Sequence, residues 1–168
     1  FAEQPLRKIH TICKKNGCLV IEDASGSIGD SKLCNGKYSD IIVGSFGKWK
    51  PVECGYGGWI STSKKEYFEV AKEPMSITKV HPKFYKEIVK CLRKNKLKKL
   101  LSLQNVVKQE LKDFEVIHRD YRGLNVVAKF DPLILKYCMD HNYPYVLCPS
   151  YIRVNEKAIC IELKRLNF

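Results

Sequence analysis

The sequence predicts an α/β segment followed by a smaller α+β domain. Residues 1–75 alternate helical patterns with short, continuous apolar runs, which are typical of buried strands in a parallel sheet. Residues 76–168 begin with a long helical pattern and continue with paired strands around one helix. We therefore expect two domains with separate sheets, divided near residues 73–81.

The first segment contains two predicted helices and three predicted strands. Apolar residues recur at helical spacing from Leu6 to Cys13, and Gly17 is a natural stop for this helix. The runs CLVIED, DIIVGSF and GGWIST are predicted as buried strands of one parallel sheet. The stretch KKEYFEVAKEP predicts a second helix that Pro74 closes.

The second segment begins with apolar positions between Phe84 and Phe114 that fit either one long helix or two shorter ones. Two strands follow in FEVIH and GLNVVAKF, and Asp131-Pro132 begins another helix. Residues 146–148 and 158–163 are predicted as the last strands.

The charge balance bears on possible partners. Thirty Lys and Arg residues against 18 Asp and Glu give a formal charge of +12, which occurs in nucleic-acid binders. The densest basic cluster, residues 93–99, is interleaved with leucines rather than with stacking aromatics. A lysine-rich, solvated surface is therefore favoured over nucleic-acid binding, and no apolar run has the roughly 18 residues of a membrane span.

The eight cysteines form no CxxC pair, and the four histidines do not cluster with them. Several lie inside apolar runs, such as Cys160 in AICIEL. We predict free thiols that pack as small apolar side chains, no metal site, and a reducing, cytoplasmic compartment.

Candidate chemistry gathers where the predicted strands end, the place at which open α/β sheets bind ligands. Glu22 and Asp23 follow the first strand, and the segment from Ser45 to Lys50 follows the second. A glycine-rich turn, residues 55–58, comes next. By composition alone these features equally fit ordinary strand caps and turns.

Their order and spacing are more specific. The segment EDASGSIG, followed by SFGKWKPVECGYGGWIST, resembles the DegT/DnrJ/StrS family of pyridoxal-phosphate-dependent sugar aminotransferases. Members show an EDAAQA-like strand end, then SFxxxK, then a G/A-x-G-G turn. Ser45 to Lys50 fits SFxxxK, and the turn at residues 55–58 falls at the family's spacing. The resemblance covers roughly residues 5–72, whereas the small domain agrees only in the order of its elements.

The resemblance implies a fold type I enzyme with pyridoxal 5'-phosphate as cofactor. Lys50 would form the Schiff base with the cofactor aldehyde, and Asp23 would keep the pyridine nitrogen protonated. Ser45 would hydrogen-bond the phosphate. Lys48 is the competing lysine, but it places the glycine turn two residues too far away. Asp23 as a turn cap and Ser45 as an ordinary strand-end hydroxyl are the structural alternatives.

Three departures from the family bear on these expectations. Gly26 occupies a cofactor-binding position where the family usually has Gln or His, which contacts the cofactor's phenolic oxygen. The family's GxNxR segment has no clear counterpart in MSITKVHPKFYKEIVK. Members are also longer, so we expect the chain, which begins with Phe1, to correspond to their C-terminal half.

The expected function is therefore an aminotransferase that moves an amino group from a small-molecule donor to a keto acceptor, such as a nucleotide-linked keto-sugar. The resemblance implies a homodimer, with Trp49, Tyr56 and Trp59 as aromatic area close to the site. The alternative is a non-catalytic remnant of the fold that serves as a binding or assembly module.

Overall fold

The computed structural model describes residues 2–149 and 154–167 and divides them into two compact units. One unit is Gln4–Leu97, and the other begins at Lys98 and includes Glu3. Each unit has its own sheet, as the sequence predicts. The elements of the first unit are α1 (Leu6–Lys15), β1 (Ile21–Asp23), β2 (Ile41–Ser45), β3 (Gly58–Ser61), α2 (Lys65–Thr78) and α3 (Tyr85–Arg93). Those that follow are α4 (Leu97–Glu110), β4 (Val116–Ile117), β5 (Val126–Lys129), α5 (Pro132–Asp140), β6 (Tyr145–Cys148) and β7 (Ala158–Ile161).

The first sheet has the order β1-β2-β3. β1 and β2 are parallel, but β3 runs antiparallel to β2, so the prediction of three parallel strands is wrong for the third. The reason is the connection: residues 46–57 form turns rather than a crossover helix, and a parallel neighbour needs a crossover.

α2 continues through Pro74 to Thr78, so the prediction that this proline closes the helix is also wrong. Proline removes one backbone donor, but the following turn supplies its own bonds. The Thr78 hydroxyl donates to the Pro74 carbonyl at 2.8 Å, and Lys79 N–H donates to the Met75 carbonyl at 3.0 Å.

The helical stretch after Phe84 is two helices, α3 and α4, with a break at residues 94–96. Asn95 stabilises the break with both ends of its side-chain amide. Its oxygen accepts from Leu97 N–H at 2.8 Å, and its nitrogen donates to the Ile28 carbonyl at 2.8 Å.

The compact units divide after Leu97, about twenty residues beyond the boundary that the sequence suggested near residue 75. The difference arises because α3 packs with the first sheet. Its Ile88 and Cys91 lie against an apolar cluster that includes Phe46 and Val52. The division at residue 75 stays a prediction about domains, while the packing assigns α3 to the first unit.

The second unit is a four-stranded antiparallel sheet in the order β4-β5-β7-β6. Helices α4 and α5 supply Leu100, Val107, Ile134 and other side chains to the cluster on one face. All four residues of β7 are buried, because a smaller cluster around Val154 covers the opposite face. This sheet, its helices and their order agree with the predicted α+β domain.

All eight cysteines, which lie within the described residues, are free thiols, as the sequence predicted. Cys138, Cys148 and Cys160 are buried in the second unit. Burial raises the pKa of Cys138 to about 11 and that of Cys160 to about 12. These thiols therefore behave as small apolar side chains rather than as nucleophiles.

Asp40 ties α1 and the start of α2 to the start of β2. Its buried carboxylate accepts hydrogen bonds from Lys14 at 2.7 Å, from Lys64, and from Val20 N–H at 2.9 Å. The two lysine hydrogen bonds, the Val20 bond and the lysine charges hold the pKa of this carboxyl well below its usual range, against the opposing effect of burial. One charged side chain thus links three segments around the site-bearing sheet.

Asp40→Asn is expected to lower the free energy of unfolding by about 2–3 kcal/mol, because it leaves two lysines without their acceptor. The folded-state pKa lies below the unfolded value of about 3.9, so the stabilisation is complete above that value and is lost as the pH falls through the acid range below it. The difference between wild type and variant should therefore shrink below about pH 4 in urea titrations.

The matched control is Glu69→Gln, the same change at an exposed carboxylate paired with Lys72 at 3.9 Å. It should leave the unfolding midpoint unchanged. Equal effects of the two substitutions would contradict the role assigned to Asp40.

Candidate functional site

The candidate site lies where β1 and β2 end. Because these strands are parallel, their carboxyl ends share one edge of the sheet. Asp23 is the last residue of β1 and pairs in register with Val43, and β2 continues to Ser45. Ala24 N–H donates to the Val43 carbonyl at 2.8 Å and holds the turn after β1 against β2.

Asp23 receives two hydrogen bonds from a residue that the sequence did not single out. Both the hydroxyl and the backbone N–H of Ser25 donate to Asp23 Oδ1, at 2.5 and 2.9 Å. The same hydroxyl oxygen accepts from Ser45 N–H at 2.9 Å. The only sequence signal was a serine two residues after an aspartate, which is the spacing of an ordinary turn.

Several groups act on the pKa of Asp23 together. Partial burial raises it, while the hydrogen bonds from the Ser25 hydroxyl and N–H and the charge of Lys50 lower it. The lowering effects prevail, so the pKa lies below its usual value. Asp23 is therefore a carboxylate at neutral pH, with the Lys50 ammonium as a charge partner.

A closed loop carries Lys48 and Lys50. Phe46 forms its base: its N–H donates to the Gly57 carbonyl at 3.0 Å, and its carbonyl accepts from Cys54 and Gly55 N–H. The Phe46 ring is buried, which fixes the loop to the body of the unit. The lysines therefore project from a turn that backbone hydrogen bonds and the packing of Phe46 hold in place.

The loop directs its two lysines differently. Trp49, between them, has a φ of 62°, a left-handed conformation that turns the backbone sharply. The Lys48 side chain is exposed, and its Nζ lies 5.0 Å from the centre of the Trp49 ring. Lys50 is half-buried and acts electrostatically on Asp23. Beyond Lys50, Val52 is fully buried, and the Pro51 carbonyl accepts from Lys96 N–H at 2.9 Å.

The Ser45 hydroxyl accepts from Gly47 N–H at 3.0 Å, which keeps the side chain at the strand end. The glycines of the next turn serve the sheet itself. A Cβ on Gly58 would lie 2.5 Å from the Gly44 carbonyl oxygen, so β3 pairs closely with β2 only because this residue has no side chain.

Gly26 lies exposed in the turn that follows β1, one residue after Ser25. Since glycine has no side chain, this position cannot supply the hydrogen bond that the resemblance implied there. Of the four predicted site residues, Asp23, Ser45 and Lys50 lie around one edge of the sheet. Gly26 lies in the turn after β1 and offers no side chain to a ligand.

Two further properties concern the described part of the chain. Its His, Cys, Asp and Glu residues form no group of three or more that could hold a metal ion. Among the helices of that part, none has the length and apolar character needed to cross a membrane.

The fold and this strand-end arrangement define the chain as part of a fold type I transferase domain followed by a small α+β domain. Residues 3–113 match the DegT/DnrJ/EryC1/StrS aminotransferase family, and the chain belongs to this family. Residues 94–168 match the C-terminal domain of the MJ1341 family. No curated protein matches the chain significantly.

Solved aminotransferase structures share the fold at low sequence identity. A DegT/DnrJ/EryC1/StrS aminotransferase from Brucella abortus is 16% identical in sequence and has a TM-score of 0.63. The match covers 95% of the present chain and 56% of the Brucella chain. The Helicobacter pylori aminotransferase PseC, involved in pseudoaminic acid biosynthesis, is 15% identical and has a TM-score of 0.65, and the match covers 95% of the present chain and 58% of PseC. The aminotransferase TlmJ from Streptoalloteichus hindustanus is 13% identical and has a TM-score of 0.61, and the match covers 95% of the present chain and 57% of TlmJ. The chain thus spans less than two thirds of the length of these structures.

The different surroundings of the two lysines give a test that needs no cofactor. Lys50→Met should raise the pKa of Asp23, because the variant lacks the positive charge that stabilises the carboxylate. Lys48→Met should leave it unchanged, since that ammonium lies over the Trp49 ring. Titration of the Asp23 carboxyl carbon by NMR, assigned with Asp23→Asn, measures both, and a larger effect of Lys48 would contradict the described geometry.

Proposed function

We propose that this protein is a pyridoxal-phosphate-dependent aminotransferase in which Lys50 attaches the cofactor and Asp23 pairs with its ring nitrogen. The observation that carries the proposal is the placement of these two residues. Both lie at the carboxyl edge of the parallel strand pair, at the family's motif positions, and Lys50 stabilises the Asp23 carboxylate.

The residues present fit this cofactor at three points. Asp23 is ionised, and both hydrogen bonds from Ser25 go to Oδ1, which leaves Oδ2 for a protonated ring nitrogen. Lys50 provides a primary amine on a braced turn. Ser45 places a hydroxyl at the end of β2, where it can donate to a phosphate oxygen while it accepts from Gly47 N–H.

When bound, pyridoxal phosphate supplies an aldehyde and an electron-withdrawing ring, which together allow an amine to be exchanged for a carbonyl. The chain's own residues would bind and direct it. Lys50 Nζ would hold the cofactor covalently and, once displaced by an amino donor, would move a proton as a general base. The Asp23 carboxylate would keep a proton on the ring nitrogen by charge pairing.

The acceptor in this proposal is a keto compound, and a nucleotide-linked keto-sugar is the class that the family favours. The amino donor is a small amine such as an amino acid. These assignments rest on family membership.

A second candidate function is a non-catalytic binding or assembly module. Gly26 favours it, because this turn cannot supply the side-chain contact that the resemblance implied. A visible absorption spectrum separates the two functions, since a cofactor joined to lysine absorbs in the visible range and an empty scaffold does not.

Borohydride reduction of the cofactor-loaded full-length protein, followed by peptide mass mapping, is expected to find the reduced cofactor on Lys50. Lys50→Ala should abolish the label and lower turnover by about 10³-fold or more, because the attaching amine and the general base are lost together. Lys48→Ala is the matched control, and it should keep both the label on Lys50 and the turnover. A label on Lys48 would move the motif register by two residues, and no label on any lysine would favour the binding module.

Asp23→Asn serves as a second control in the same experiment. The variant retains the Lys50 amine, so the label should remain on Lys50. Turnover should nevertheless collapse, because a neutral amide does not hold a proton on the ring nitrogen.

The proposal includes a homodimer, because the sites of this fold class are built across a two-fold interface. Tyr56 and Trp59 are used within the unit, where they pack on Phe84 and Gly44. The support instead comes from α2, whose Val70 and Ile77 side chains are 78% and 82% exposed. Light scattering of the protein at micromolar concentration should give the mass of two chains, and the mass of one would contradict this part of the proposal.

A further inference from the structure

Ser25 is a buried polar side chain beside the candidate site. It is 5% exposed, and its hydroxyl is both donor and acceptor, to Asp23 Oδ1 and from Ser45 N–H. It lies at the position of the second alanine of the EDAAQA-like segment.

We propose that Ser25 is a positioning residue that sets the orientation of the Asp23 carboxylate and keeps the proton on the cofactor's ring nitrogen. The part that concerns the cofactor rests on the proposed function. The part that concerns Asp23 does not depend on the cofactor.

The orientation follows from the hydrogen bonds. Two donors from one residue converge on Oδ1, so rotation of the carboxylate would break both bonds at once. Ser45 N–H occupies a lone pair on the same oxygen, so the hydroxyl proton cannot point toward Ser45 and is available to Asp23 Oδ1. Oδ2 is thereby the oxygen that Asp23 presents to a ligand.

The effect on the proton follows from the charge. Asp23 and a pyridine nitrogen would share one proton, which resides on the more basic partner. Hydrogen bonds that stabilise the carboxylate make it the weaker base. Ser25 therefore moves the shared proton toward the ring nitrogen, where the reaction needs it.

The same hydroxyl also connects the two halves of the site. Ser45 N–H is on β2, five residues before Lys50, whereas Asp23 ends β1. Ser25 bridges the two strand ends and so ties the position of the carboxylate to the segment that bears the lysine.

The first experiment measures the pKa of Asp23 in the cofactor-free protein by carboxyl-carbon NMR. Ser25→Ala should raise this pKa, and Ser25→Thr, which retains a hydroxyl, should restore it. Ser27→Ala is the matched control. It removes a hydroxyl from the same turn, but this one donates to the Leu33 carbonyl at 2.9 Å and does not contact Asp23. An unchanged pKa in Ser25→Ala would overturn the inference and leave the proposed function standing.

The second experiment adds pyridoxal phosphate labelled with ¹⁵N in the ring. In the wild type we expect the nitrogen shift of a protonated ring at neutral pH. In Ser25→Ala the shift should move toward the unprotonated value, because the carboxylate becomes the stronger base. Ser27→Ala should match the wild type.

The outcomes separate the two proposals. No binding of the cofactor by the full-length wild type would overturn the proposed function and the cofactor role of Ser25 together. Normal binding with an identical ring-nitrogen shift in the wild type and Ser25→Ala would overturn the role of Ser25 alone. Circular dichroism of each variant shows whether a loss reflects the site or unfolding.

Discussion

The parallel pairing of β1 with β2 is the constraint on which the candidate site depends. Parallel strands end at the same edge, so Asp23 and Ser45, 22 residues apart in the chain, become neighbours only because of this pairing. The Ser25 hydroxyl adds a side-chain bridge between the two ends. If the strands ran in opposite directions, the carboxylate and the lysine-bearing loop would lie at opposite ends of the sheet.

Around this pair, polar groups are used to fix backbone rather than to bind ligand. Asp40 gathers two lysines and a backbone N–H at the start of β2, away from the edge that carries Asp23. Asn95 ends the α3 segment and binds the turn near Ile28. At the carboxyl edge, Asp23 also caps a turn, through the Ser25 N–H on Oδ1, and its carboxylate is stabilised in addition by the charge of Lys50.

Much of the architecture followed from periodicity, and the failures have identifiable causes. Helices with clear apolar spacing and strands with apolar runs were predicted at their places, including the strands β4 to β7. The direction of β3 was not, because a short apolar run has the same appearance in either direction and the turns of residues 46–57 carry no periodic signal. Pro74 was misjudged because a helix tolerates one missing donor when the next turn is bonded. Ser25 was missed because its value lies in partners on two different strands.

The sequence by itself determined the types of the elements, the family, and the residues Asp23, Ser45 and Lys50 as a spaced set, because periodicity and motif spacing are local properties of the chain. Motif spacing already favoured Lys50 over Lys48 as the cofactor lysine, and only the tertiary structure decided the surroundings of each side chain. Lys48 and Lys50 are equivalent in composition, and the left-handed turn at Trp49 together with the anchoring of Phe46 sends them to different surroundings. The lowered pKa of Asp23 likewise depends on Ser25 and Lys50 both acting on one carboxylate, an arrangement that no local sequence pattern records.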